Sequence, residues 1–134
     1  MGVIKVTSSE RELIINTYFH MWVDRNFSSL DKIFSADIYY SECYGPEYFG
    51  LSEIHRWIDD MLEKQKVLAW EIKQFIHEKN TNTVVVEWYF KEQQNLNVND
   101  FNGVSIIKFS ADGKISSIKE FESKSEHSAP YHSS

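Results

Sequence analysis

The chain predicts an α+β fold, with helices gathered in its first half and an antiparallel sheet in its second. Three observations carry that prediction. Apolar residues recur at helical spacing up to about residue 66. From Val67 onward the period drops to two, and four long runs follow, separated by polar turns. The last of these turns, Ala111-Asp112-Gly113-Lys114, holds an Asp-Gly pair suited to the positive φ angles of a tight hairpin. A long antiparallel meander needs one face covered, and the helices are there to cover it. The sheet should therefore curl around them into a cone, with a cavity where the third helix does not reach.

Each element has its own signal. Residues 1–8 read as a loose lead-in. Ser9 and Glu12 fit a capping box. Leu13, Ile14, Thr17, Tyr18, Met21 and Trp22 then mark one apolar face of a first helix that ends near Asn26. Ser28 or Ser29 can cap a short second helix carrying Leu30, Ile33 and Phe34. The stretch 36–43 is rich in aromatic and β-branched residues and reads as a strand. Residues 44–50, with Gly45-Pro46 near the start, read as a turn-rich connector. A third helix begins at Leu51 or Ser52. Ile54, Ile58, Met61 and Leu62 form its buried stripe, Trp57 borders it, and Lys64 and Lys66 suit its negative dipole end. Strands follow over 67–77, 83–94, 100–109 and 115–123. The tail, 124–134, is small and polar and should be loose or lie on the surface.

Composition narrows the function classes. A length of 134 residues suits one domain with its own core. Hydrophobic residues make up 42% and charged residues 25%, as in ordinary globular proteins. Aromatic residues reach 15%, which is high and fits a lined cavity or an interface. The net charge of −6, with no basic cluster, argues against a nucleic-acid surface. No apolar run approaches the roughly 20 residues of a membrane helix, and the start of the chain has no signal-peptide pattern. Cys43 is the only cysteine. A lone cysteine makes no internal disulfide, and a reducing cytoplasm is its simplest setting.

Several stretches together resemble the NTF2-like superfamily, and within it the SnoaL-like branch. They are MWVDRNFSSLDKIFSADIYYSE, the GPEYFG turn, VVVEWYF, and GVSIIKFSADGKISSIKEF. The resemblance covers nearly the whole chain and rests on the order of these pieces. It implies a cone-shaped α+β fold, a pocket open at one end, and a homodimer packed through the sheet. The family includes ketosteroid isomerases, polyketide cyclases, an epoxide hydrolase, dehydratases, and transport or scaffold proteins without catalysis, so the fold does not choose a function. The chain departs from the catalytic branches in their aspartate base. Its last strand ends in Phe121-Glu122-Ser123, and the catalytic His/Asp pair of the dehydratases has no match.

The candidate residues lie on the strands. Alternation places Val84, Val86, Trp88 and Phe90 on one face, and Val85, Glu87 and Tyr89 on the other. The same rule groups Trp70, Ile72, Gln74 and Ile76, and opposes Ile118, Glu120 and Glu122 to Ser117, Lys119 and Phe121. Register decides which face looks inward. Glu87 and Glu120 are the general-base candidates, because an aromatic pocket raises a carboxylate's pKa toward the useful range. The competing reading pairs Glu87 with Lys73 or Lys119 across an outer face. Tyr40 could donate to a developing oxyanion or simply pack its ring. Trp57, Trp70 and Trp88, with Tyr39 and Glu42, could line a ligand cavity or serve as core and dimer contacts. The five histidines show no metal spacing. There is no phosphate-binding glycine loop and no nucleophile elbow. The reading is therefore a protein of one small, mostly apolar ligand, without metal or cofactor. It is either an isomerase, cyclase or hydratase using a carboxylate base, or a non-catalytic dimeric binding module.

Overall fold

The computed structural model describes residues 6–132. Helix α1 spans Ser8–Asp24. Its cap is Thr7 rather than Ser9: the Glu10 N–H donates to Thr7 Oγ1 at 3.1 Å. Thr7 and Glu10 keep the capping spacing, two residues earlier than expected. The lead-in is correspondingly shorter, and residues 1–5 and 133–134 lie outside the described residues. The buried stripe is also rotated. Ile15, Tyr18, Phe19 and Trp22 face the core, whereas Leu13 is 65% exposed and Thr17 points outward. Apolar residues nearly surround this helix, so periodicity alone left the stripe undecided. At its end, Arg25 takes a left-handed φ of 57°. Its guanidinium donates to the carbonyls of Leu62 and Gln65, at the end of helix α3 (Leu51–Lys64). Orphan carbonyls and the negative dipole end both favour a cation there.

Helix α2, Leu30–Ile33, runs straight into strand β1, Phe34–Ser41, which begins two residues ahead of expectation. The connector after it is more than a turn. Glu47–Phe49 forms a short strand, β2, that folds back on β1 with Tyr40 opposite Tyr48. Three residues are too few to show an alternation in sequence. In α3 the buried residues are Ile54, Trp57 and Ile58. Trp57, expected at the border of the stripe, is only 9% exposed.

Four long strands complete the sheet: β3 (Lys66–Glu78), β4 (Thr83–Gln94), β5 (Asn97–Phe109) and β6 (Ile115–Ser123). β5 begins three residues earlier than expected, because Asn95 takes a left-handed φ of 56° and tightens the turn. The order is β2-β1-β6-β5-β4-β3, with β1 and β6 parallel and the other neighbours antiparallel. The sheet is curved and open, and its concave face holds α1 and α3.

A bulge in β3 corrects the expected faces. Trp70 and Ile72 oppose Phe90 and Trp88, but Gln74 opposes Glu87 and Phe75 opposes Val86. Lys73 is the extra residue, and one extra residue reverses every side chain beyond it. Gln74 and Ile76 therefore turn outward, and Phe75 packs against the core.

Candidate functional site

The inward side chains of β4 are Val84, Val86, Trp88, Phe90 and Glu92. At the Val84 end they meet aliphatic residues of the core. At the Glu92 end a cavity opens. A chamber of about 30 Å3 is walled by Tyr40, Glu42, Trp57, Trp70, Trp88 and Glu120, with Phe90, Phe101 and Cys43 beside them. That is room for roughly two water molecules. It leads to a mouth of about 710 Å3 lined by Met61, Glu92, Asp100, Glu122 and Lys124. Glu42, Tyr44, Gln65 and Phe101 belong to both.

The aromatic walls are held from several sides. Trp88 lies opposite Gly103. A Cβ at Gly103 would fall 2.4 Å from the Trp88 ring and 2.4 Å from the Phe121 carbonyl oxygen, so glycine alone lets the indole lie across β5. The Trp88 indole N–H donates to Ser105 Oγ at 2.9 Å. Trp70 stacks on Phe19 of α1 at 3.9 Å and meets Trp88 edge-on at 5.7 Å. Trp57 stacks on Tyr48 of β2 at 4.8 Å and leans on Tyr40 at 4.9 Å. The unforeseen strand β2 thus supplies part of the chamber's support.

Glu120 sits on β6 opposite Ser105, whose side chain is buried on the concave face. A chain of hydrogen bonds ends on it. The Trp22 indole N–H donates to Tyr18 Oη at 2.9 Å, Tyr18 donates to Tyr40 Oη at 2.8 Å, and Tyr40 donates to Glu120 Oε2 at 2.6 Å. The Trp22 indole only donates, so Tyr18 accepts from it; with Glu120 ionised, Tyr18 donates to Tyr40 and Tyr40 donates to the carboxylate at Oε2.

Burial shifts this group strongly. Loss of hydration pushes the Glu120 carboxyl up to about 8, the Tyr40 hydrogen bond pulls it back part of the way, and the nearby Glu42 charge raises it again. As a whole residue Glu120 is half-buried, its carboxyl being tucked under Tyr40. Tyr18 and Tyr40 are held well above the ordinary phenol range, first by burial and then by the Glu120 charge. Glu42 is also raised by burial, against the lowering effect of the Tyr48 hydroxyl, which donates to its Oε1 at 2.7 Å. Cys43 is pushed up to about 12 by burial and the surrounding acids, so it remains a thiol.

Of the residues singled out in the sequence, Tyr40, Glu42, Trp57, Trp70, Trp88 and Glu120 come together here. Glu87 and Tyr39 do not. Glu87 lies on the convex face, where Gln74 donates to its Oε1 at 2.8 Å. Neither expected lysine meets it: Lys73 donates instead to Asn102 at 2.9 Å, and Lys119 lies opposite Ile106. Tyr39 turns away from the cavity and donates to Glu47 at 2.6 Å. Tyr40, expected as an oxyanion donor, has its one O–H directed at Glu120.

Sequence reasoning passed over Tyr18 and Trp22 as packing residues, although their i, i+4 spacing puts two polar-tipped aromatics on one helix turn. It also passed over Glu92, which the alternation of Trp88 and Phe90 extends to directly. Three buried polar atoms around the cavity have no hydrogen-bond partner among the described residues: the indole nitrogens of Trp57 and Trp70, and Glu92 Oε2. No group of three His, Cys, Asp or Glu among the described residues could hold a metal ion.

The SnoaL-like domain family matches residues 15–118. No curated protein matches the chain. Solved structures of similar shape include a protein of ketosteroid isomerase-like fold from Catenulispora acidiphila, in complex with trimethylamine. It has a TM-score of 0.70 and 16% identity, with 81% of this chain and 83% of that one covered. An NTF2-like protein of unknown function from an Exiguobacterium species has a TM-score of 0.71 and 18% identity, covering 82% and 98%. An LEH-like epoxide hydrolase from M. tuberculosis has a TM-score of 0.75 and 12% identity, covering 86% and 79%. At these identities the likeness shows the shared fold. With the helices, the curved sheet and the family match in agreement, the chain belongs to the SnoaL-like domain family, on the NTF2-like fold.

Proposed function

We propose that the protein binds a small, mostly apolar molecule in this cavity and moves a proton on it with Glu120, without metal or cofactor. The observation that carries this reading is the buried Glu120 carboxyl at the end of the Trp22–Tyr18–Tyr40 chain. A carboxylate with its pKa raised to about 8 is a strong enough base to take a proton from carbon beside a carbonyl. Tyr40 is a positioning residue that fixes one carboxylate oxygen and leaves Oε1 for the ligand. The oxyanion role falls to the Trp57 and Trp70 indole N–H groups, which have no partner among the described residues. Isomerisation, cyclisation or hydration all fit this arrangement, and the epoxide hydrolase of the same fold supports a chemistry of that kind.

The test is deuterium exchange. Wild-type protein is incubated in D2O with a panel of cyclic ketones and epoxides, and exchange or turnover is followed by NMR. Glu120→Gln should abolish any reaction found, and the wild-type rate should rise with pH through about 8. A Glu120→Gln protein as fast as wild type removes Glu120 as the base.

A second reading, a non-catalytic dimeric binding module, is favoured by the narrowness of the 30 Å3 chamber. The convex face suits a second copy: Val85, Val104 and Ile106 are half-buried there, beside exposed Ile76 and Phe121. A monomeric mass in sedimentation at micromolar concentration would remove the dimer.

A further inference from the structure

The mouth of the cavity holds a second carboxylate in an unusual state. Glu92 is only 3% exposed. Burying a carboxylate is costly unless it is paired, so such a group normally meets an arginine, a lysine or several donors. Glu92 meets no cation: the ion pairs among the described residues join His55 to Asp31 and His77 to Glu12. Its donors are two neutral amides, Gln65 at 3.2 Å and Gln94 at 2.8 Å, and both reach Oε1. Oε2 has no partner among the described residues.

The surroundings have the same sign. Glu42, Asp100 and Glu122 line the mouth with Glu92, and among the described residues Lys124 is the one cationic side chain in its wall. Asp100 is already engaged by the Tyr89 and Ser125 hydroxyls, and Glu42 by Tyr48. The rings of Tyr44 and Phe101 stand edge to face at 5.9 Å on the stretch shared by mouth and chamber. Buried carboxylate oxygen and aromatic faces together are the chemistry that receives an organic ammonium group.

We propose that the ligand of this cavity carries an ammonium group, which Glu92 holds in the mouth while the apolar remainder lies against Tyr44 and Phe101 at the entrance to the aromatic chamber. This rests on the reading that the chamber takes a small molecule, and it adds the charge of that molecule. Gln65 and Gln94 act as a movable screen over Glu92. Gln94 is exposed and Gln65 half-buried, so either amide can swing aside and let a cation reach the carboxylate. An anionic ligand is disfavoured by the mouth carboxylates Glu42, Glu92 and Glu122.

Three probes of similar bulk separate the charges: phenethylamine, phenethyl alcohol and phenylacetate. Binding is measured by calorimetry and by tryptophan fluorescence. Phenethylamine should bind about tenfold or more tighter than the alcohol, phenylacetate should bind weakest, and added salt should weaken the amine alone. Glu92→Gln should remove the amine's advantage over the alcohol.

The wild-type comparison does not depend on that variant folding. If the alcohol binds and the amine binds no tighter, the ammonium site is wrong and the apolar chamber stands. If the amine's advantage survives Glu92→Gln, Glu92 is not the holder and the proposal is overturned. If none of the three binds at millimolar concentration, both the chamber reading and this proposal fall.

Discussion

The two ends of the concave face are built from opposite materials. At one end Leu30, Phe34, Val84, Ile107 and Ile115 are fully buried and pack side chain on side chain. At the other, Trp57, Trp70 and Trp88 enclose Glu120 and lead out to Glu92. The first arrangement maximises apolar burial and stabilises the fold. The second holds polar atoms away from water, and each unpartnered one costs about 1–3 kcal/mol. The same strand, β4, serves both ends, changing from Val84 and Val86 to Trp88 and Glu92 within one face. Apolar packing and buried polar groups are thus separated along a strand rather than between layers.

Four substitutions test this division. Ile107→Ala, at the closed end, should cost about 2–5 kcal/mol in urea unfolding. It should leave the cavity's fluorescence intact, and a loss of binding comparable to the loss of stability would show that the ends are not separate. Glu120→Gln comes next, and its effect depends on pH. Glu120 titrates near 4.5 when unfolded and near 8 when folded, so between those values the folded state binds the extra proton. The contribution of Glu120 to stability should be fully present below about 4.5 and should fall as pH rises to about 8, by up to about 1.4 kcal/mol per pH unit. In Glu120→Gln that slope should vanish; an unchanged slope would place the raised pKa elsewhere.

Gly103→Ala should cost about 1–3 kcal/mol and alter the near-UV dichroism of Trp88, since the added methyl meets the ring and a backbone oxygen. Glu87→Gln, on the convex face, should stay within about 0.5 kcal/mol of wild type and leave activity unchanged. A large effect there would return Glu87 to the list of working residues.

Most of the fold was legible because long amphipathic elements write their period into the sequence. The third helix and the four long strands did so, whereas the first helix, apolar nearly all round, showed its presence but not its buried stripe. What escaped was short or locally irregular. β2 has three residues, and the β3 bulge at Lys73 reverses a face without any compositional mark. Glu120 was legible as a candidate because an acid among aromatics and aliphatics on a strand is unusual. Its separation from Glu87 was not legible, since the two differ only in the face that the register assigns them. The helix side of the site, Tyr18 and Trp22, looked like core because both residues are core as well.

The parallel pairing of β1 with β6 has a consequence for how the protein comes into being. The Tyr40–Glu120 hydrogen bond joins residues 80 positions apart, and so does the bond from Ser35 to the Ile115 carbonyl. Contacts of such long loop closure form slowly, since chain entropy is lost before the contact rewards it. On the ribosome, β1 can pair with β2 at once but must wait for the last strand before it gains a neighbour on its other edge. Until then that edge is open and Tyr40 lacks its Glu120 partner. The Glu120 end of the cavity is therefore assembled last, as the closing act of folding, and a chain stalled before residue 115 would hold its helices and hairpins without the Tyr40–Glu120 contact.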